Sequence, residues 1–598
     1  MSFYYNPLDC ECKSVIGATK TNQKITFTVK TDEQGEFTLL ICRDGSNGFE
    51  SYPMKHVEGG FFARFSIAEK GLYWYKFRSG NRVFGRGEKL LAASGSDECF
   101  QLTVYDENYS TPDWLKGGII YQIFPDRFNG TEDFSVSEGK VKCKDWYADP
   151  TYRSADGEVL NNEFYGGNFE GIRRKLDYLK RLGVNAIYLN PISKAYSSHR
   201  YDTGDYLKFD EVLGDEKDLV RLISDANALG IKLIFDGVYN HTGADSAYFN
   251  KSKNYPTVGA YNSENSPYFG WYTFRLFPDD YESWWGFENL PSIKKDCKDF
   301  QDFICGTVLK KYSEYGFSGV RLDVVDELDA DFVKNIRIAV KSYDSQAVVI
   351  GEVWEDATNK TAYGKRREYF LGNELDSVMN YPLRDAVVNY LLTGNTRLID
   401  LTVREQINNF PPCALQMLMN VLSTHDSPRI ITVLGRNGIV TDKDEMKYEF
   451  LTPREYDVGS RLAKIAYVLV YTLYGVPSVY YGDEAGLSGN LDPYNRRAYP
   501  WGREDRDLVE FFEKLGSFRR ENKVLKDGST KILYSEDGVF VFERRTENEQ
   551  IIVAVSRRKR DVLLTFSEPV ADILGGGEYS KTVELKSDSA MVLKNKND

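Results

Sequence analysis

Four short segments of the chain end apolar runs in carboxylates, histidines or an arginine: DGVYNH from Asp236 to His241, GVRLDVVDE from Gly319 to Glu327, GEVWE from Gly351 to Glu355, and STHDSPR from Ser423 to Arg429. Two acidic side chains facing one bond suit the cleavage of a glycosidic acetal. Its oxocarbenium-like transition state needs one carboxylate as nucleophile and one protonated carboxyl as acid, about 5–5.5 Å apart when configuration is retained. Arg321 precedes Asp323 by two residues, so on a strand the pair shares a face, and the guanidinium can hold that carboxylate ionised and oriented. Of the four histidines, His241 and His425 lie inside these segments, His199 lies upstream in SSHRYDTG, and only His56 is far from them. Singly, an Asp or Glu after a strand is more often a helix cap or a surface group; the order and company of these segments is what carries meaning.

The elements that must position them follow from one repeated phrase, an amphipathic helix ending in Gly with a strand at once behind it. It occurs as RLGVNAIYLN at Arg181, ALGIKLIFD at Ala228, EYGFSGVRLD at Glu314 and LYGVPSVYYG at Leu473, each with glycine where a helix C-cap wants positive φ. In the first, Ile172, Leu176, Leu179 and Leu182 share a helical face, and Ala186 to Leu189 is apolar on both sides, as a parallel strand covered by helices must be. Further strands are expected at Ile119 to Phe124, Ala347 to Gly351 and Leu418 to Leu422. Alternating strands and helices over some 400 residues leave an open doubly wound sheet or a closed (β/α)8 TIM barrel. With no Gly-rich phosphate loop, and with polar groups at the strand C-terminal ends, the barrel is preferred.

Around this α/β core, period-two apolar runs between Lys24 and Tyr105 predict an N-terminal β-sandwich, with DENYSTPDW as linker. The Tyr-, Asn- and Trp-rich stretch after the third strand reads as a small inserted subdomain, and VFVFERR, IIVAVS and DVLLTF predict a C-terminal antiparallel β-domain. The expected divisions are 1–108, a catalytic barrel over 109–520 with the insert at 242–297, and 521–598.

Together and in this order, the four segments resemble the catalytic motifs of the alpha-amylase family of glycoside hydrolases. The resemblance extends to YQIFPDRF at Tyr121, GVNAIYLNPI, HRYDTGDY, and YYGDEAG with DPYNRRAYPW at Tyr480 to Trp501, so it covers about Trp114 to Arg520. Within the family the chain is most similar to the neopullulanase, cyclomaltodextrinase and maltogenic amylase group. The resemblance implies Asp323 as nucleophile, Glu352 as general acid/base and Asp426 as the third carboxylate, binding sugar hydroxyls as the ring distorts. Apolar Val353 and Trp354 beside Glu352 are expected to keep it protonated. The resemblance further implies that Tyr201 stacks on the sugar, that His199, His241 and His425 bond to it, and that Asp236, beside Asn240, organises Arg321 and the ring hydroxyls, which places Asp236 and Arg321 among the substrate-binding residues. Asp492 and Arg496 are implied as cleft residues. Trp271, Trp284 and Trp285 of the insert are candidate stacking platforms.

Some positions depart from the group. DVVDE has Asp326 where an Asn is usual, which is expected to alter the leaving-group side of the cleft, and ENLPSIKKD replaces a Met-Pro-Lys-Leu-Asn string. GGN at Gly166 to Asn168 stands for GGD, so calcium is possible but the loop FNGTEDF does not complete its ligand set; no cofactor is required. The expected function is a retaining hydrolase of α-1,4 bonds in maltooligosaccharides, starch, cyclodextrins or pullulan. A glucanotransferase or an α-1,6-acting sibling is the alternative, and a non-catalytic carbohydrate-binding protein is the alternative of another class.

The bulk composition agrees with a soluble globular enzyme. Of 598 residues 42% are hydrophobic, 28% charged and 14% aromatic, the last an excess that suits sugar stacking and large cores alike. A net charge of -13 argues against nucleic acid and acidic membranes. The start MSFYYNPLDCECKSV lacks a signal-peptide pattern, no apolar run reaches membrane-spanning length, and eight scattered cysteines suggest reduced, mostly buried thiols. A cytoplasmic enzyme with an α-glucan partner, monomer or homodimer, is expected.

Overall fold

The computed structural model describes residues 3–595 apart from 132–133, 155–156, 160, 440, 443–444 and 447–449. Its centre is a ring of parallel strands: β1 (Ile120–Ile123), β2 (Ala186–Leu189), β3 (Lys232–Gly237), β4 (Gly319–Leu322), β5 (Val348–Gly351), β6 (Ser377–Val378), β7 (Met419–Val421) and β8 (Val476–Tyr480). They pair in the order β6-β5-β4-β3-β2-β1-β8-β7, and a parallel bridge from Met379 to Met419 joins the two ends. The expected barrel is what forms.

Period-two geometry divides each strand between two cores. In β2, Ala186 and Tyr188 enter the barrel interior with Ile234, Ile350 and Met419, while Ile187 and Leu189 face the helical layer. The helix before β2 is broken into Phe169–Arg173 and Leu176–Arg181, yet Ile172, Leu176, Leu179 and Leu182 are all buried as its periodicity requires. The four glycines that end helices have φ of +83° (Gly183), +74° (Gly230), +99° (Gly316) and +84° (Gly475), the region in which a side chain is strained. At Gly475 a Cβ would also meet the Leu418 carbonyl at 2.5 Å. The sixth strand, of two residues, is too short to leave a periodic signal.

The N-terminal sandwich packs a seven-stranded sheet on a three-stranded one, and Phe27, Phe37, Phe61, Tyr75, Phe77 and Phe100 fill its core. Much of the aromatic excess is therefore structural. A six-stranded and a two-stranded sheet make the C-terminal domain. The insert has one short hairpin, Phe274–Leu276 with Asp280–Tyr281, and is held by aromatic packing. Trp271 sits inside that packing, against Tyr248, Phe300 and Phe303, and is 5% exposed; it is no platform for a sugar. All eight cysteines are free, but only Cys12 is buried, the others being exposed or half-buried. Among the described residues no helix is long and apolar enough to cross a membrane.

Glu484, in the turn after β8, is fully buried. It accepts hydrogen bonds from Tyr121 Oη (2.6 Å), Tyr178 Oη (3.0 Å) and the Gly482 amide (3.0 Å). Burial pushes its carboxyl from 4.5 up to about 7, against the pull of those hydrogen bonds. The folded state thus holds this proton more tightly than the unfolded chain. Stability tied to it is complete below about pH 4.5 and is lost as pH rises through 7. Glu484→Gln keeps a neutral group of the same shape. Denaturant unfolding at pH 5 and pH 8 is expected to show the variant gaining on the parent by about 3 kcal/mol across that interval; parallel pH dependences of the two proteins would contradict the assignment.

Candidate active site

The site is assembled by the register of β3, β4 and β5. Asp236 and Arg321 are paired residues across β3 and β4, and Arg321 is paired with Ile350 of β5. Asp323 and Glu352 each follow the end of their strand by one residue, anchored by Asp323 N–H to the Gly237 carbonyl and Glu352 N–H to the Leu322 carbonyl, both 3.1 Å. Period two then puts the Arg321 and Asp323 side chains on one face. The Arg321 guanidinium, wholly buried, donates from Nη1 to Asp236 Oδ1 (3.0 Å) and Asp323 Oδ1 (2.7 Å), and its Nη2 lies 2.8 Å from Glu352 Oε2. One cation therefore touches three carboxylates.

Glu352 is held by further donors. Val324 adopts φ 38°, ψ 52°, a left-handed conformation that costs a β-branched residue on the order of 1–3 kcal/mol, and its N–H donates to Glu352 Oε2 at 2.9 Å. The Trp354 indole N–H donates to Oε1 at 3.1 Å, while its ring stacks on Tyr381 at 3.8 Å. The apolar shelter expected around Glu352 is thus replaced by three polar contacts, because Trp354 presents its nitrogen rather than its carbon face.

Burial and the nearby Glu352 charge push the Asp323 carboxyl well above the usual range, with Arg321 opposing. For Arg321 burial works against the charge, but Asp236 and its neighbours outweigh it and keep the guanidinium protonated. For Asp426 burial would raise the carboxyl, yet His425 and Arg496 override it and hold it below the ordinary range. His425 Nδ1 faces Gln122 Nε2 at 2.9 Å and its Nε2 lies 2.9 Å from Asp426 Oδ2. With Nδ1 accepting from the amide, Nε2 carries the proton toward Asp426. The His425 ring lies parallel to Tyr201, centroids 5.0 Å apart, and the Tyr201 hydroxyl donates to Asp236 Oδ2 (2.8 Å) while accepting from Asn190 Nδ2 (2.9 Å). Burial takes His241 down to about 4, so it is neutral at physiological pH, stacked on Trp284 at 5.0 Å. His199 is also shifted down, by burial and by Arg496, and accepts the Tyr201 N–H at Nδ1 (3.1 Å). Arg496 pairs with Asp492 (2.7 Å) and lies 3.4 Å from Asp426.

A cleft of about 930 Å³ opens above this network, near the upper end of small-ligand sites. Asp323, Glu352, Asp426, Tyr201, His199, His241, His425, Asp492 and Arg496 all line it. Asp236 and Arg321, expected among the substrate-binding residues, do not line it; their side chains are wholly buried behind the floor. Asp326 does not line it either: Tyr369 Oη donates to it at 2.5 Å and Lys360 Nζ lies 3.3 Å away, so its charge is spent on structure rather than on the leaving-group side. Trp284 and Trp285 line the cleft, unlike Trp271.

Gln122, Tyr188, which donates to Asp236 Oδ2 at 2.5 Å, and Asn190 also belong to the site, although the sequence did not single them out. Their only signal in the sequence is a polar group in or just after an otherwise apolar buried strand. For calcium, Asn168 spends its side chain capping a helix at Gly171 N–H (2.7 Å) and donating to Thr131 (2.9 Å), while Glu132 and Asp133 of FNGTEDF lie outside the described residues. Among the described residues no group of three or more His, Cys, Asp or Glu side chains is arranged to hold a metal.

Residues 122–517 match the family model described as alpha amylase, catalytic domain. An amylopullulanase from Thermoanaerobacter thermohydrosulfuricus is 38% identical over 92% of this chain and 41% of its own length. This chain spans less than half the length of the amylopullulanases it matches. A cyclomaltodextrinase from Thermoanaerobacter pseudethanolicus is 32% identical over 81% of this chain and 79% of its own. Among solved structures, the type III pullulan hydrolase from Thermococcus kodakarensis superposes with a TM-score of 0.70 at 25% identity, covering 99% of this chain and 100% of that one. With the family model matched across the barrel that carries Arg321 and its three carboxylates, this chain belongs to the alpha-amylase family of glycoside hydrolases.

Proposed function

We propose that the chain is a retaining α-glucan hydrolase in which Asp323 is the nucleophile and Glu352 the general acid/base. The observation that carries this reading is the single buried guanidinium in contact with both carboxylates beneath one cleft. In the first step an Asp323 oxygen bonds the anomeric carbon as the bond to the leaving oxygen breaks, and Glu352 gives that oxygen its proton. In the second, water attacks the same carbon, Glu352 takes the water's proton, and the ester to Asp323 breaks. Two displacements restore the starting configuration. Arg321, which opposes the effect of burial on Asp323, favours the charged form that the nucleophile needs. Asp426, Tyr201 and the histidines bind hydroxyls of the distorted ring, and the proton transfers balance without a cofactor.

The substrates we infer are α-1,4-linked glucans: maltooligosaccharides, starch, cyclodextrins and pullulan, in keeping with relatives named cyclomaltodextrinase and neopullulanase. A second reading, α-1,6 cleavage in the same cleft, is favoured by the relatives named amylopullulanase. Eight free thiols fit a reducing, cytoplasmic setting.

Asp323→Asn and Glu352→Gln are each expected to lower kcat by about three orders of magnitude while leaving the fold intact, with NMR of fresh product from the parent showing the α-anomer. Product of β configuration, or a variant as fast as the parent, would overturn the mechanism. Arg321→Met is expected to abolish turnover and also to cost about 3–5 kcal/mol of stability, since it leaves buried carboxylates without their cation; denaturant melts check the second effect. Chromatography of pullulan digests separates the bond types, panose reporting α-1,4 cleavage and maltotriose α-1,6.

A further inference from the structure

The segment 283–291 is a closed turn on the rim of the cleft. A bridge between Ser283 and Pro291 closes its base. Inside, Trp284 N–H donates to the Leu290 carbonyl (2.9 Å), Phe287 N–H to that of Trp284 (3.0 Å), and Leu290 N–H to that of Phe287 (2.8 Å). This pinned turn sets Trp285 at φ 52°, ψ 23°, a region bulky residues rarely adopt, and strain of that kind gathers at functional sites. Its product is an indole 79% exposed, the most exposed large hydrophobic side chain among the described residues. Phe287, two residues on, is 55% exposed. Both line the cleft that holds Asp323 and Glu352.

Packing does not account for these rings. Each leans only loosely on Trp284, at centroid distances of 5.8 and 6.4 Å, and Trp284 in turn stacks on His241. An aromatic path therefore runs from the catalytic floor to the rim. Displaying two large apolar rings to water is unfavourable unless a ligand covers them. The ligand that shares this cleft is a glucan, whose rings present apolar C–H faces between equatorial hydroxyls and so match a flat aromatic surface.

We infer that Trp285 and Phe287 form a stacking platform for glucosyl units remote from the bond being cut, which makes the enzyme prefer long chains to short ones. The inference rests on the α-glucan hydrolase reading. The two rings contribute binding that is equal in ground and transition states, so they act on KM and not on kcat.

The test compares the parent with Trp285→Gly, Phe287→Ala and Trp285→Phe on maltotriose and on soluble amylose. Glycine takes positive φ without strain, so Trp285→Gly removes the ring while keeping the turn, which an unchanged melting temperature verifies. Trp285→Gly and Phe287→Ala are each expected to raise KM for amylose about tenfold, with kcat on amylose and both constants on maltotriose within twofold of the parent. Trp285→Phe, which retains a ring, is expected to recover most of the lost affinity. An unchanged KM for amylose, or an equal loss on both substrates, would overturn the platform while leaving the hydrolase reading standing. A parent that cleaves neither substrate would overturn both.

Discussion

The site depends on one buried cation. Arg321 faces three carboxylates within 3.0 Å, and a single positive charge cannot neutralise three negative ones. Desolvating so much like charge is affordable only because the remaining oxygens are satisfied locally: Asp236 by the hydroxyls of Tyr188 and Tyr201, Glu352 by Val324 and Trp354. The charge imbalance itself is chemically useful. A cluster with more carboxylates than cations retains a proton that an isolated carboxyl would lose, and that proton is what an acid catalyst must hold at neutral pH. Lysine could not do this, since only a fork presents separate nitrogens to Asp323 and Glu352.

Strand geometry places that cation. Because parallel neighbours are held in register, pairing Asp236 with Arg321 across β3 and β4 brings the two side chains together without any loop conformation being specified. The proposed nucleophile and acid, Asp323 and Glu352, come one residue later, where the ladder ends and the chain is free to turn. Val324 shows what this freedom costs: its left-handed backbone aims an N–H at Glu352 rather than along the sheet. Precision comes from the strands and direction from the strained turn beyond them.

These two layers differ in how well the sequence discloses them. The barrel was legible because each helix-ending glycine, Gly183, Gly230, Gly316 and Gly475, marks a strand start, and its positive φ is a local requirement. The floor was legible through motif residues whose order along the chain matches their order round the barrel. The environment of Glu352 was not, because it turns on the Val324 backbone and on which edge of Trp354 faces inward, and neither follows from residue type. Asp326 misleads for the same reason: its partners Lys360 and Tyr369 lie more than thirty positions on, in a loop with no periodic pattern. Gln122, Tyr188 and Asn190 were visible only as polar breaks in apolar strands, a signal that cannot say what they touch.

The three tryptophans singled out in the insert make the general point, since residue type is constant and burial alone divides them. Trp271 is 5% exposed and anchors the subdomain among Tyr248, Phe300 and Phe303. Trp284 is half-buried and backs the neutral His241. Trp285 stands in solvent at the cleft rim. A segment with only one short hairpin to hold it must be pinned by side chains, and large rings do that with few residues. Once pinned, the same segment can present further rings outward at fixed positions. The irregularity of the insert is therefore what allows one stretch of chain to serve as wall, as support for a histidine of the cleft, and as exposed surface over the cleft.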